Sequence, residues 1–169
     1  MNFSRRKQKS QRPEPEEIYT NLRKHVLESK PDDFREDLRE APILALLWEN
    51  GFAEGVGTLL GGVDGHVAMY LSNGGGTMGN WTSPALTEAN TRWLETGATF
   101  LPRLPVTPDP PLPDDGMTQF VAVTPTEVRS ASAPVADLDG GRHPFSPFHF
   151  AALAVFYALD ELTTAAKGG

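Results

Sequence analysis

Asp64-Gly65 sits between two β-forming runs in GVGTLLGGVDGHVAMYLS, and no other feature narrows the fold as much. Asp-Gly flanked by such runs is a favoured two-residue hairpin turn. A tight hairpin pairs its strands antiparallel, so the chain must build an antiparallel sheet. On the second strand Val67, Met69 and Leu71 alternate with His66, Ala68 and Tyr70, which predicts a core face and an opposite face. Glycines at 55, 57, 61 and 62 weaken the first strand or let another backbone approach it.

Helical spacing marks the rest of the chain. PEEIYTNLRKHVLES predicts a helix: Pro15 suits its first turn, Glu16 and Glu17 complement the dipole, and Ile18, Leu22 and Val26 with Tyr19 form its stripe. Pro31 interrupts it, and the charged residues 32–40 read as a short exposed helix. Pro42 to Glu49 is apolar almost all round and predicts a second, buried helix stopped by Gly51. Ser83-Pro84 predicts a further helix start, with Leu86, Trp93, Leu94, Phe100 and Leu101 near one face.

Between Pro102 and Gly116 six prolines forbid helix and central strand, so this is a stiff connector within the domain. MTQFVAVTPTEVRSASA predicts two more strands about a turn at Pro125-Thr126, with Phe120 and Ala122 alternating with Val121 and Val123. DLDGGRHPFSP reads as a loop. Ser146 is expected to cap a last helix whose stripe is Phe148, Ala152, Val155, Leu159 and Leu162. The expected class is α+β, an antiparallel sheet of four to five strands with helices packed on it. Residues 1–13 are expected to be a disordered basic leader, 14–165 a single domain and 166–169 a frayed tail.

With no cysteine, disulfide and thiolate chemistry are excluded. The net charge of −7 is uneven: Arg5, Arg6, Lys7, Lys9 and Arg12 precede the first acid, Glu14, so the body is more acidic still. An acidic body repels phosphate backbones and predicts no nucleic-acid binding through it. No apolar run is long enough to span a bilayer, and the basic start lacks the apolar stretch of a secretory signal, so a cytoplasmic location is expected.

Chemistry-bearing residues are sparse. Asn73, Gly74, Gly75, Gly76, Gly79 and Trp81 lie between a strand and a helix start, where bare N–H groups can meet an anion, a nucleotide or a partner chain. The segment matches neither GxxxxGK[ST] nor GxGxxG, and the alternative is a bulged strand end. His143 is expected to join the residues of this segment as a ligand- or partner-binding residue; it also follows Asp137 and Asp139, and an acid beside a histidine can orient a general base for a hydrolase or transferase. No GxSxG elbow and no metal-ligand spacing is present, so no catalytic residue, metal or cofactor is assigned.

MYLSNGGGTMG after the hairpin and GRHPFSPFHFAA at the last helix together resemble an uncharacterised bacterial family, over roughly Ile43 to Leu162. The element order is similar to roadblock/LC7-type domains, a helix–hairpin–helix–strands–helix sandwich. That resemblance implies a non-enzymatic scaffold that dimerises and binds regulatory proteins. The expectation is therefore a non-catalytic regulatory or protein-interaction domain, homodimeric or bound to another regulatory protein. A small-ligand sensor at Gly74–Ser83 is the alternative, and a hydrolase using His143 the second.

Overall fold

The computed structural model describes residues 12–77 and 82–168. Gly79, Trp81 and most of the basic leader lie outside the described residues. The chain runs through α1 (Glu17–Leu27), β1 (Ala45–Gly51), β2 (Val56–Gly62), β3 (Val67–Leu71) and β4 (Gly76–Thr77). It continues through α2 (Pro84–Phe100), β5 (Met117–Val123), β6 (Val128–Pro134), α3 (Val135–Asp139) and α4 (Ser146–Lys167). All strand pairs are antiparallel, and the six strands lie in the order β4-β3-β2-β1-β5-β6. The sheet thus has six strands, not four to five. The increase comes from the short β4 and from β1.

β1 overturns the helix expected from Pro42 to Glu49. It is the central strand, paired with β2 on one side and β5 on the other. Leu46 and Trp48 point into one hydrophobic cluster, while Ala45 and Leu47 point into a second cluster across the sheet. A strand covered on both faces loses its polar alternation and reads as a continuous apolar run.

α1 covers one face. Tyr19 and Val26 are buried there with Val56, Leu60, Ala68, Tyr70, Val121 and Val123. α2 and α4 cover the other face, over Leu46, Trp48, Leu59, Val67, Phe120 and Ala122. The β2–β3 turn forms as expected, with one residue more: Val63 to Gly65 make it, and Gly65 takes φ +88. Residues 32–40 form two single-turn 3₁₀ segments rather than one helix. The expected loop after β6 begins as α3.

α2 starts where Ser83-Pro84 predicted, with Ser83 Oγ accepting from the Leu86 N–H at 3.0 Å. The helix comes unusually close to the sheet. A Cβ at Gly61 would lie 2.6 Å from the Trp93 ring and against Asn90 Oδ1, and one at Gly97 would lie 2.9 Å from Leu46. Trp93 is fully buried and has nowhere to retreat. Gly61→Ala is therefore expected to lower stability by about 1–3 kcal/mol in urea unfolding, the usual cost of overpacking. A change under about 0.5 kcal/mol would show that α2 is not seated this tightly.

Candidate functional site

The expected site residues part company. Asn73 to Gly76 form the β3–β4 turn: Gly74 N–H donates to Leu71 O at 2.9 Å and Gly75 N–H to Asn73 Oδ1 at 2.9 Å. Gly74 and Gly76 have φ of +89 and +150, which explains two of the glycines. A Cβ at Gly74 would meet the side chain of Glu16, so a carboxylate-bearing chain passes beside the turn. Committed N–H groups and a nearby acid make this segment a poor anion cradle.

His143 also serves a turn. Its Nδ1 accepts from the Phe145 N–H at 3.0 Å, and its own N–H donates to Ser146 Oγ at 3.2 Å. Ser146 Oγ in turn donates to Leu138 O at 3.0 Å, so Ser146 ties α4 back to α3 instead of capping its own helix. Asp137 faces Arg142 at 3.7 Å. The expected Asp139–His143 convergence does not form.

Asp139 instead meets His149. Asp139 Oδ1 lies 2.8 Å from His149 Nε2, and Trp48 Nε1 donates to His149 Nδ1 at 3.2 Å. An indole N–H only donates, so Nδ1 must be bare and Nε2 must carry the hydrogen given to Asp139. The imidazole is 1% exposed, lies 5.4 Å from the Trp48 ring and has both nitrogens engaged. It fixes the position of α4 over β1 and has no lone pair left for a substrate proton.

This chain of three residues lies at the wall of an open cleft of about 920 Å³. The sheet supplies its floor: Asn50 to Phe52, Gly57, Met69 and Leu71, with the start of β5 alongside. α4 supplies the opposite wall through Leu153, Phe156 and Tyr157. Gly57 keeps the floor low, since a Cβ there would lie 3.1 Å from the Met69 methyl. Phe52 is 53% and Tyr157 59% exposed, so two aromatic rings stand at the rim. Among the described lining residues Asp115 and Asp139 are the only acids, and none is Ser, Thr, Cys, Lys or Arg.

Three further observations concern the described residues. Among the described residues β4 spans two residues, and the first half of β6 is bridged by the connector through Thr107 N–H to Val128 O and Ser130 N–H to Pro105 O. Among the described residues no group of three His, Cys, Asp or Glu side chains is placed to hold a metal ion. No described helix is long and apolar enough to cross a membrane.

The fold and cleft define an α+β protein with an antiparallel sheet between helices and an apolar groove beside α4. Comparison with known proteins returned no matching family model, no matching curated protein and no matching solved structure.

Nothing in the sequence pattern pointed directly at His149. The available signal was a polar residue beside the α4 stripe, which a buried position obliges to find partners.

Proposed function

We propose that the protein is a non-catalytic interaction domain whose recognition surface is the cleft between the sheet and α4. The observation that carries this reading is the make-up of that cleft. It has room for several side chains, is lined by apolar and aromatic residues, and holds two carboxylates with no described basic residue. His149 in its wall is locked between Trp48 and Asp139, and no Ser, Thr or Cys is among its described lining residues.

The occupant that fits is a segment of another regulatory protein presenting bulky apolar side chains beside Lys or Arg. A heterologous partner is preferred to a second copy because, among the described residues, β4 is only two residues long and the connector covers the first half of β6, which limits strand-to-strand pairing of two copies. A non-enzymatic scaffold of the kind implied by the roadblock/LC7 resemblance is compatible with this, although the reading rests on the cleft.

The test is a titration of synthetic peptides alternating Phe or Leu with Lys, followed by amide resonances of the cleft. Binding is expected, weakened at least about tenfold by Leu153→Asp and lost when Glu replaces Lys in the peptide. Indifference to Leu153→Asp, or equal binding of the acidic peptide, would reject the assignment.

A further inference from the structure

We infer that the sheet face beneath α1 carries a second site, a pocket that takes a small amine with an apolar body and a hydrogen-bonding far end. It lies across the sheet from the cleft and stands independently of what the cleft binds.

The pocket, of about 270 Å³, opens where α1, the 3₁₀ turn after it and the β2–β3 hairpin meet. Val26 of α1 and Leu60 of β2 give it an apolar interior, and the Phe34 side chain stands beside them. Clefts for drug-sized ligands begin near about 300 Å³, so this one suits a smaller molecule. No Lys or Arg is among its described lining residues, whereas Asp33 and Asp64 are.

The observation that asks for a ligand is the state of Tyr70. Two tyrosines are buried on this face of the sheet. The hydroxyl of Tyr19 is satisfied, 2.7 Å from Thr58 Oγ1. Tyr70 is 8% exposed and lines the pocket, yet among the described residues no hydrogen bond engages its hydroxyl. Burial pushes its phenol above the ordinary range, and no hydrogen bond acts against it. The group therefore keeps its hydrogen at neutral pH and can donate it. A buried hydroxyl left without a partner forfeits the hydrogen bond it had in water, and a ligand oxygen or nitrogen in the pocket restores one.

The carboxylates stand at the outer end. Asp33 and Asp64 are exposed, and each is oriented through one oxygen. Asp33 Oδ2 accepts from the Lys30 N–H at 2.8 Å, and Asp64 Oδ1 accepts from the His66 N–H at 3.1 Å. The second oxygen of each stays available to an ammonium group, and such charge-assisted bonds are the stronger kind. Gly62 leaves room for this arrangement, since a Cβ there would lie 2.5 Å from Asp64 Oδ1. His25 and His66 complete the wall, and an imidazole can serve as donor or acceptor. The described acids and histidines do not group as a metal site. An ammonium ligand needs less: one or two acceptors at the rim, an apolar surface for its stem and Tyr70 at the inner end.

The experiment titrates tyramine, an ammonium joined to a phenol by a short stem, into the full chain and follows amide resonances. Those of His66, Ala68 and Tyr70 are expected to move, while Gly57 and Leu153 in the cleft stay still. Asp64→Asn keeps an acceptor for the His66 N–H and removes the charge, and binding is expected to weaken about fivefold or more. Tyr70→Phe removes only the unpartnered hydroxyl, so Tm is expected to hold while affinity falls about three- to tenfold, the worth of one hydrogen bond. Hydroxyphenylpropanoate, with a carboxylate in place of the ammonium, is expected not to bind. Equal binding of that acid, or full affinity in either variant, would overturn the inference. So would movement confined to Gly57 and Leu153, or none at all with tyramine at about 10 mM, a concentration that would reveal even a millimolar Kd.

Discussion

Glu49→Ala is expected to lower folding stability by about 3–5 kcal/mol, because it strips one partner from a buried ion pair and strands the other. Glu49 lies on β1 beneath α1 and is fully buried, and the Arg23 side chain is only 12% exposed. The pair is bidentate, with Arg23 Nε on Oε1 at 2.7 Å and Nη2 on Oε2 at 3.0 Å. Arg23 Nη2 also donates to Pro110 O at 2.9 Å, which ties the proline-rich connector to α1. Tyr19 OH and Thr58 Oγ1 lie 2.7 Å apart beside them, and Thr58 Oγ1 donates to Glu49 at 3.4 Å.

The charges leave their mark on the neighbours. Burial, reinforced by the charge of Glu49, pushes the Tyr19 phenol up to about 12. Burial works against the charged form of Arg23, but the hydrogen bond and charge of Glu49 outweigh it and hold its pKa above the ordinary value. Removing only the carboxylate keeps the burial and deletes the compensation. Removing both charges in Arg23→Met/Glu49→Met should recover much of the loss, since an apolar pair of similar size avoids both desolvation costs. Urea unfolding followed by circular dichroism separates these outcomes. A loss under about 1 kcal/mol for Glu49→Ala would mean that water reaches the pair.

The same residue shows why β1 was hard to read. Its neighbours Leu46, Leu47 and Trp48 face both ways into packed helices, so polarity carries no period of two along the strand. Glu49 then looks like the polar end of a helix, when in fact it is the acceptor for an arginine 26 residues earlier. The elements that were legible each exposed a polar side or carried turn chemistry. α1 has a one-sided stripe, α2 has Ser83-Pro84, and Gly65 supplies the left-handed residue its hairpin needs.

The candidate site was less legible, because its parts come from segments far apart in sequence. Trp48 and His149 are 101 residues apart, and Asp139 and His149 are 10 apart with α3 and a turn between them. Sequence proximity favoured His143 for Asp139. The geometry of the turn into α4 spends His143 on the Phe145 N–H and leaves His149, three residues into the helix, facing Asp139. The glycines after β3 attracted notice for the freedom of their backbone. In the fold that freedom closes a hairpin, whereas Gly57, which resembles the others, shapes the cleft floor.

An aromatic cluster seats α4 on the sheet beneath the cleft wall, and Phe120→Ala is expected to cost about 3–5 kcal/mol. Phe120 is fully buried on β5, stacks on Phe148 at 4.9 Å and meets the edge of Phe145 at 5.7 Å. Phe148 in turn stacks on Phe100 of α2 at 5.3 Å, so one ring on the sheet seats both helices. Phe148 precedes His149 directly, and the next turns of α4 carry Leu153, Phe156 and Tyr157 into the cleft wall. Truncating Phe120 leaves a cavity beneath the fulcrum of that wall, and the lost stability should appear as a fall in Tm of roughly 6–20 °C by calorimetry. Phe120→Leu keeps most of the volume and should cost well under half as much, about 1–1.5 kcal/mol, through the lost ring pairs. If the wall depends on this seat, Phe120→Ala should also weaken Phe/Lys peptide binding at temperatures where the chain is still folded, although residue 120 never touches the peptide. Full affinity in a folded Phe120→Ala protein would show that Trp48 and Asp139, through His149, are enough to hold α4 in place.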